Sequence, residues 1–95
     1  MFIVNLTYLV DLAKVDAVLA DHVEWLKQCY GTGIFIASGP KKPRDGGVIV
    51  ARGPREKLDD CLQADPFWQK GYARYDIIEF EPAMMASGFE KLLAK

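Results

Sequence analysis

The sequence predicts an α+β domain with its elements in the order β-α-β-β-α-β. Four short runs rich in β-branched and aromatic residues, two longer stretches with apolar residues three or four apart, and Gly/Pro clusters between them support this order. Ninety-five residues, 51% of them hydrophobic, suit one compact domain. A chain this short buries only about two thirds of its unfolded surface. A homodimer or higher homo-oligomer is therefore expected.

FIVNLTYLV, residues 2 to 10, is the first strand, and its apolar content suits a central position in the sheet. Asp11 is the N-cap candidate for a helix from about Leu12 to Tyr30, with Gly31 and Gly33 as its stop. Val15, Val18, Leu19, His22, Leu26 and Cys29 form its apolar stripe. Trp25 lies at the stripe's edge as a core or interface aromatic. Lys14, Asp21, Glu24, Lys27 and Gln28 fall largely on the solvated face. GIFIAS, residues 33 to 38, and VIVAR, residues 48 to 52, are the next two strands, joined by the turn-rich GPKKPRDGG as a long-looped hairpin. Pro54 can open a helix over REKLDDCLQA, whose apolar side is Leu58, Cys61 and Leu62. YARYDIIEFEP, residues 72 to 82, is the fourth strand, and the similar polarity of its two faces leaves open which points inward. MMASGFEKLLAK then offers a short amphipathic helix, so residues 1–82 form the domain and 83–95 a C-terminal helical extension.

This order is the split βαβ, or ferredoxin-like, arrangement, in which two helices cover one face of an antiparallel sheet. A second subunit is the expected cover for the other face, with a barrel-like cavity between the stacked sheets.

Twelve basic and thirteen acidic residues give a formal charge of −1 with no basic stripe, which argues against nucleic acid as a partner. No apolar run reaches the roughly 18 residues that span a bilayer, and the N-terminus lacks a secretory pattern, so no membrane partner and a cytoplasmic location are expected. Cys29 and Cys61 stand outside any CxxC spacing and read as thiols rather than a disulfide. One histidine, two separated cysteines and scattered carboxylates make no metal site, and neither a dinucleotide fingerprint nor a P-loop is present. No cofactor is expected.

His22 is the one side chain suited to moving protons at neutral pH without a large shift. Its place on the apolar stripe fits equally a core histidine whose nitrogens are satisfied by backbone or water, and spacing alone favours that. Asp65, in ADPF, can fix an imidazole's tautomer, yet Asp before Pro is also an N-cap signature for a short turn through PFWQ; one carboxylate can do both. Ser38, Gly39 and Pro40 end a strand with a hydroxyl beside a glycine, a place where backbone donors can meet a ligand, although Gly-Pro is more often simply a turn. Lys41, Lys42 and Arg44 in the following loop can receive an anion or merely solvate the loop.

The ordered set H-x-x-W-L (His22 to Leu26), S-G-P (Ser38 to Pro40), G-G (Gly46 and Gly47) and D-P-F (Asp65 to Phe67) resembles the YCII-related, or YciI-like, family across residues 1 to about 82. The resemblance implies a dimeric α/β barrel variant of the ferredoxin-like fold and a His–Asp pair in a cleft, at His22 and Asp65, as catalytic residues. It also implies Ser38, with Gly39 and Pro40, as a substrate-binding segment and Phe67 or Trp68 as a cavity wall. A related branch of the family dehydrochlorinates a chlorinated hydroquinone. The expectation is a lyase or isomerase using His–Asp acid–base chemistry on a small, aromatic or lactone-like molecule. The alternative is a non-catalytic dimeric ligand-binding or interaction domain in which His22 and Asp65 are a structural pair.

Overall fold

The computed structural model describes residues 1–93. Its elements are β1 (Phe2–Tyr8), α1 (Leu12–Ala17), α2 (Leu19–Gly31), β2 (Phe35–Pro40), β3 (Gly46–Ala51), α3 (Arg55–Gln63), α4 (Pro66–Gln69), β4 (Ala73–Glu79) and α5 (Glu90–Leu93). The strands form one antiparallel sheet in the order β2-β3-β1-β4. That order is compatible with the ferredoxin-like arrangement. β1 is indeed central, paired to β3 on one side and β4 on the other.

Alternation assigns the two sheet faces. Phe2, Val4 and Leu6 of β1 and Ile49 and Ala51 of β3 are buried in one core cluster with Trp25 and Cys29 of α2 and Leu58 and Leu62 of α3. The same face takes Ala73, Tyr75 and Ile77 of β4, which resolves the ambiguity of that strand: Tyr75 and Ile77 pack on the main cluster, and Ala73 is buried in a second. Ile3, Asn5, Thr7, Val50, Arg74, Asp76 and Ile78 point to the opposite face, where Ile78 is 61% exposed.

The single helix expected over residues 12–30 is broken at Val18, whose backbone (φ −117, ψ 11) leaves the helical region. The break has a packing reason. α1 directs Val15 into the second cluster, with Phe67 and Ala73, whereas α2 lays Trp25 and Cys29 on the main one. One straight helix could not follow both surfaces. β2 and β3 run further into the hairpin than the sequence pattern indicates, so Ser38-Gly39-Pro40 is strand rather than turn and the loop shrinks to Lys41–Asp45. Gly46 permits the close approach of β3 to β1: a Cβ there would collide with the Leu6 carbonyl. The C-terminal helix is shorter than expected, a single turn over Glu90–Leu93, because Gly88 sits at φ +92 just before it. Residues 94–95 of the expected extension lie outside the described residues.

Candidate functional site

His22 is placed by α2, on the side that faces the sheet. Its ring stacks on Phe67 at 4.1 Å between centroids with 12° between planes, and Trp25 lies 5.2 Å away. Trp25 itself is only 5% exposed and anchored by its indole N–H, which donates to the Cys61 carbonyl at 2.7 Å. The imidazole is thus held in plane by neighbours that are themselves fixed.

Asp65 is placed by the α3–α4 junction. As N-cap of α4 it accepts from the Phe67 amide at 3.0 Å, with Pro66 at the first helical position. The same oxygen, Oδ1, lies 2.9 Å from His22 Nδ1. The other oxygen, Oδ2, accepts from the Tyr75 hydroxyl at 2.5 Å. The two roles weighed for this aspartate therefore coexist in one side chain that is fully buried. A buried carboxylate is costly without compensation, and three donors supply it here. Phe67 and Tyr75 already serve as donors to an acceptor-only group, so Nδ1 carries the imidazole's proton and faces Asp65 as a donor. The lone pair of the neutral ring is then on Nε2, and no protein group among the described residues hydrogen-bonds it.

His22 opens onto a cleft of about 430 Å³ between α2 and the sheet. Leu19, Val23 and Leu26 of α2 form its roof, and Leu6, Gly47 and Ile49 lie on the strands beneath. A cleft of this size falls in the usual range for small-molecule sites, ~300–1,000 Å³. Gly47 pairs with Leu6 and so shares its inward side, where an added Cβ would touch only the Gly39 carbonyl, at 3.2 Å. The missing side chain is space in the cleft. The mouth carries Arg44, paired with Asp16 of α1 at 2.5 Å, and this guanidinium holds the Asp16 carboxyl below the usual carboxylate range.

The remaining expected site residues divide. Ser38, Gly39, Pro40 and Phe67 line the cleft together with His22. The Ser38 hydroxyl is 2.8 Å from the Tyr30 hydroxyl, so it is already oriented by α2. Trp68 does not line it. One residue further around α4 than Phe67, it turns outward, 41% exposed, and tilts against the Tyr75 ring at 4.9 Å. Lys41 also leaves the site: its ammonium reaches Asn5 (3.0 Å) and Thr7 (3.4 Å) on the far face of the sheet. The cleft lies between α2 and the sheet of this chain.

Sequence reasoning missed Tyr75, Gly47 as a cleft-forming gap, and the Arg44–Asp16 pair at the mouth. The Tyr75 signal was present in β4, where it alternates with Ala73 and Ile77. Among the described residues no group of three or more His, Cys, Asp or Glu is arranged to hold a metal. No helix there is long and apolar enough to cross a membrane.

No curated protein matches the sequence. Among solved structures, the fold is similar to that of 5-chloro-2-hydroxyhydroquinone dehydrochlorinase from Burkholderia phenoliruptrix, in complex with 2,5-dihydroxybenzoquinone, with a TM-score of 0.71 at 14% identity over 84% of this chain and 92% of that one. At that identity the likeness is one of fold. The YCII-related domain profile matches residues 1–81, and on that match the chain belongs to the YCII-related family.

Proposed function

We propose that this protein is a small-molecule enzyme of lyase or isomerase type in which His22 moves the proton. The observation that carries the reading is the His22 ring at the wall of a largely apolar cleft with Nδ1 held by a fully buried Asp65. In the forward step Nε2 takes a proton from a substrate carbon or hydroxyl, and that bond's electron pair moves into the substrate. The pair then either expels a leaving group, as chloride would be expelled in a dehydrochlorination, or recaptures the proton elsewhere. Asp65 stabilises the imidazolium formed and keeps the ring oriented. Positioned acid–base groups of this kind contribute roughly 10²–10⁴ in rate.

The structural neighbour binds a hydroxylated quinone, and a flat ring of that size suits a cleft floored by Gly47. Hydroxylated quinones and hydroquinones, chlorinated or not, are therefore the first substrates to try, with small lactones as the second set. Wild type and His22→Gln are compared side by side. Turnover by wild type that falls at least 100-fold in the variant supports the reading, and turnover that survives the substitution removes His22 from the mechanism.

The reading includes a homodimer. Ile78, 61% exposed, stands with Ile3 and Val50 on the sheet face opposite the core, and covering such a surface is favourable at ~25 cal/mol per Å² of apolar area. Sedimentation of wild type and Ile78→Glu tests this: a dimer that becomes a monomer supports it, and a monomeric wild type refutes it.

A further inference from the structure

We propose that Tyr75 is a positioning residue that acts through Asp65: its hydroxyl shares the carboxylate's charge and thereby sets how strongly Asp65 holds the protonated His22 ring. This rests on the acid–base reading of His22 for its catalytic meaning, but not for its test.

The geometry is a chain of three side chains from three elements. Tyr75 of β4 donates to Oδ2 of Asp65, at the α3–α4 junction, and Oδ1 faces Nδ1 of His22 on α2. Packing alone would be met by phenylalanine at this position, since the ring already lies against Trp68 and both core clusters. The hydroxyl is the part that packing does not require. Among the described residues it has one hydrogen-bond acceptor, Asp65.

The other ionisable groups near the pair are Tyr8 on β1, Asp16 on α1, Cys29 on α2, Cys61 on α3 and Arg44 in the hairpin loop. None of them hydrogen-bonds His22 or Asp65: Arg44 and Asp16 are bonded to one another, and the two thiols lie in and against the main core cluster. α4 brings no charged side chain to the pair, only the Phe67 amide and ring. Among the described residues Tyr75 is thus the one titratable side chain besides His22 that hydrogen-bonds Asp65. Burial, and after it the Asp65 charge, push the phenol far above its ordinary range, so it remains a protonated donor wherever the protein is folded.

A donor on Oδ2 draws charge away from Oδ1. Without it the carboxylate would bond the Nδ1–H more tightly and favour the imidazolium, leaving less neutral histidine to act as a base.

The test replaces Tyr75 by phenylalanine and, separately, by site-specifically incorporated 3-fluorotyrosine, whose more acidic phenol is a stronger donor. The readout is the downfield proton resonance of the His22 Nδ1–H. Tyr75→Phe is expected to move it further downfield and fluorotyrosine to move it upfield. With a turned-over substrate, the acidic limb of the kcat/KM profile moves to higher pH in Tyr75→Phe and to lower pH with fluorotyrosine. Should the phenylalanine variant fail to fold, the isosteric fluorotyrosine decides alone. A resonance unmoved in the folded variants overturns the proposal and leaves Tyr75 a packing residue. Shifted resonances without any His22-dependent turnover uphold the coupling and count against the enzymatic reading instead.

Discussion

Replacing Asp65 separates its structural task from its chemical one. In Asp65→Ala, the Phe67 amide, the Tyr75 hydroxyl and the His22 Nδ1–H all lose their acceptor. A buried donor left without a partner costs about 1–3 kcal/mol. His22, at 12% exposed, can turn to water in the cleft, so the amide and the hydroxyl dominate. Their sum is about 2–6 kcal/mol, a large share of the ~5–15 kcal/mol that holds a small domain together. Asp65→Asn keeps the shape. Its carbonyl oxygen can accept from Phe67 and His22 while its NH₂ donates to the Tyr75 oxygen; only the Tyr75 O–H loses its acceptor, so the loss is about 1–3 kcal/mol, roughly half that of alanine. Urea unfolding of the three proteins, with midpoint and slope fitted together, measures both. An alanine variant within about 1 kcal/mol of wild type, or an asparagine variant as unstable as the alanine one, refutes the three-donor account of this carboxylate.

Three more predictions concern the cleft and its surroundings. Gly47→Val puts two methyls into the floor of the cleft, against the Gly39 carbonyl, and should weaken binding of 2,5-dihydroxybenzoquinone at least 10-fold; binding is read by calorimetry on protein whose folding has been verified, and unchanged affinity would move the ligand elsewhere. Arg44 depresses the Asp16 carboxyl, a group with its folded value lowered, so the tie across the mouth is present at neutral pH and is lost only as pH falls below the ordinary aspartate range; an Asp16 side-chain carbon titration that shows loss above that range contradicts it. Burial, with Cys61 and Asp65 adding to it, pushes the Cys29 thiol up to about 12, so at pH 8 native protein should protect Cys29 from iodoacetamide until it is unfolded, which mass spectrometry of timed samples would show.

The element order and the central place of β1 were legible because hydrophobic periodicity is a local property of the chain. The break at Val18 was not, since it arises from two separate core clusters that only the folded chain creates. Asp65 illustrates the limit at the site. Its capping role could be read from Asp-Pro alone, whereas its bond to His22 joins residues 43 apart in sequence and came only through resemblance. Tyr75 and Gly47 depend on which side of a strand faces the helices. β4 has two faces of similar polarity, and a glycine has no polarity to read. Trp68 was misassigned for a related reason: beside Phe67 on one short helical turn, two adjacent aromatics cannot both face the same cleft.

The central claim is that Nε2 of His22 is the proton carrier of this cleft. The direct measurement is the rate of turnover of hydroxylated and chlorinated hydroquinones and small lactones by wild type and His22→Gln, on protein whose folding has been verified. The account predicts turnover by wild type and a loss of at least 100-fold in the variant, within the roughly 10²–10⁴ that such a group supplies. Equal rates in the two proteins, or no turnover by wild type across both substrate sets, would contradict it.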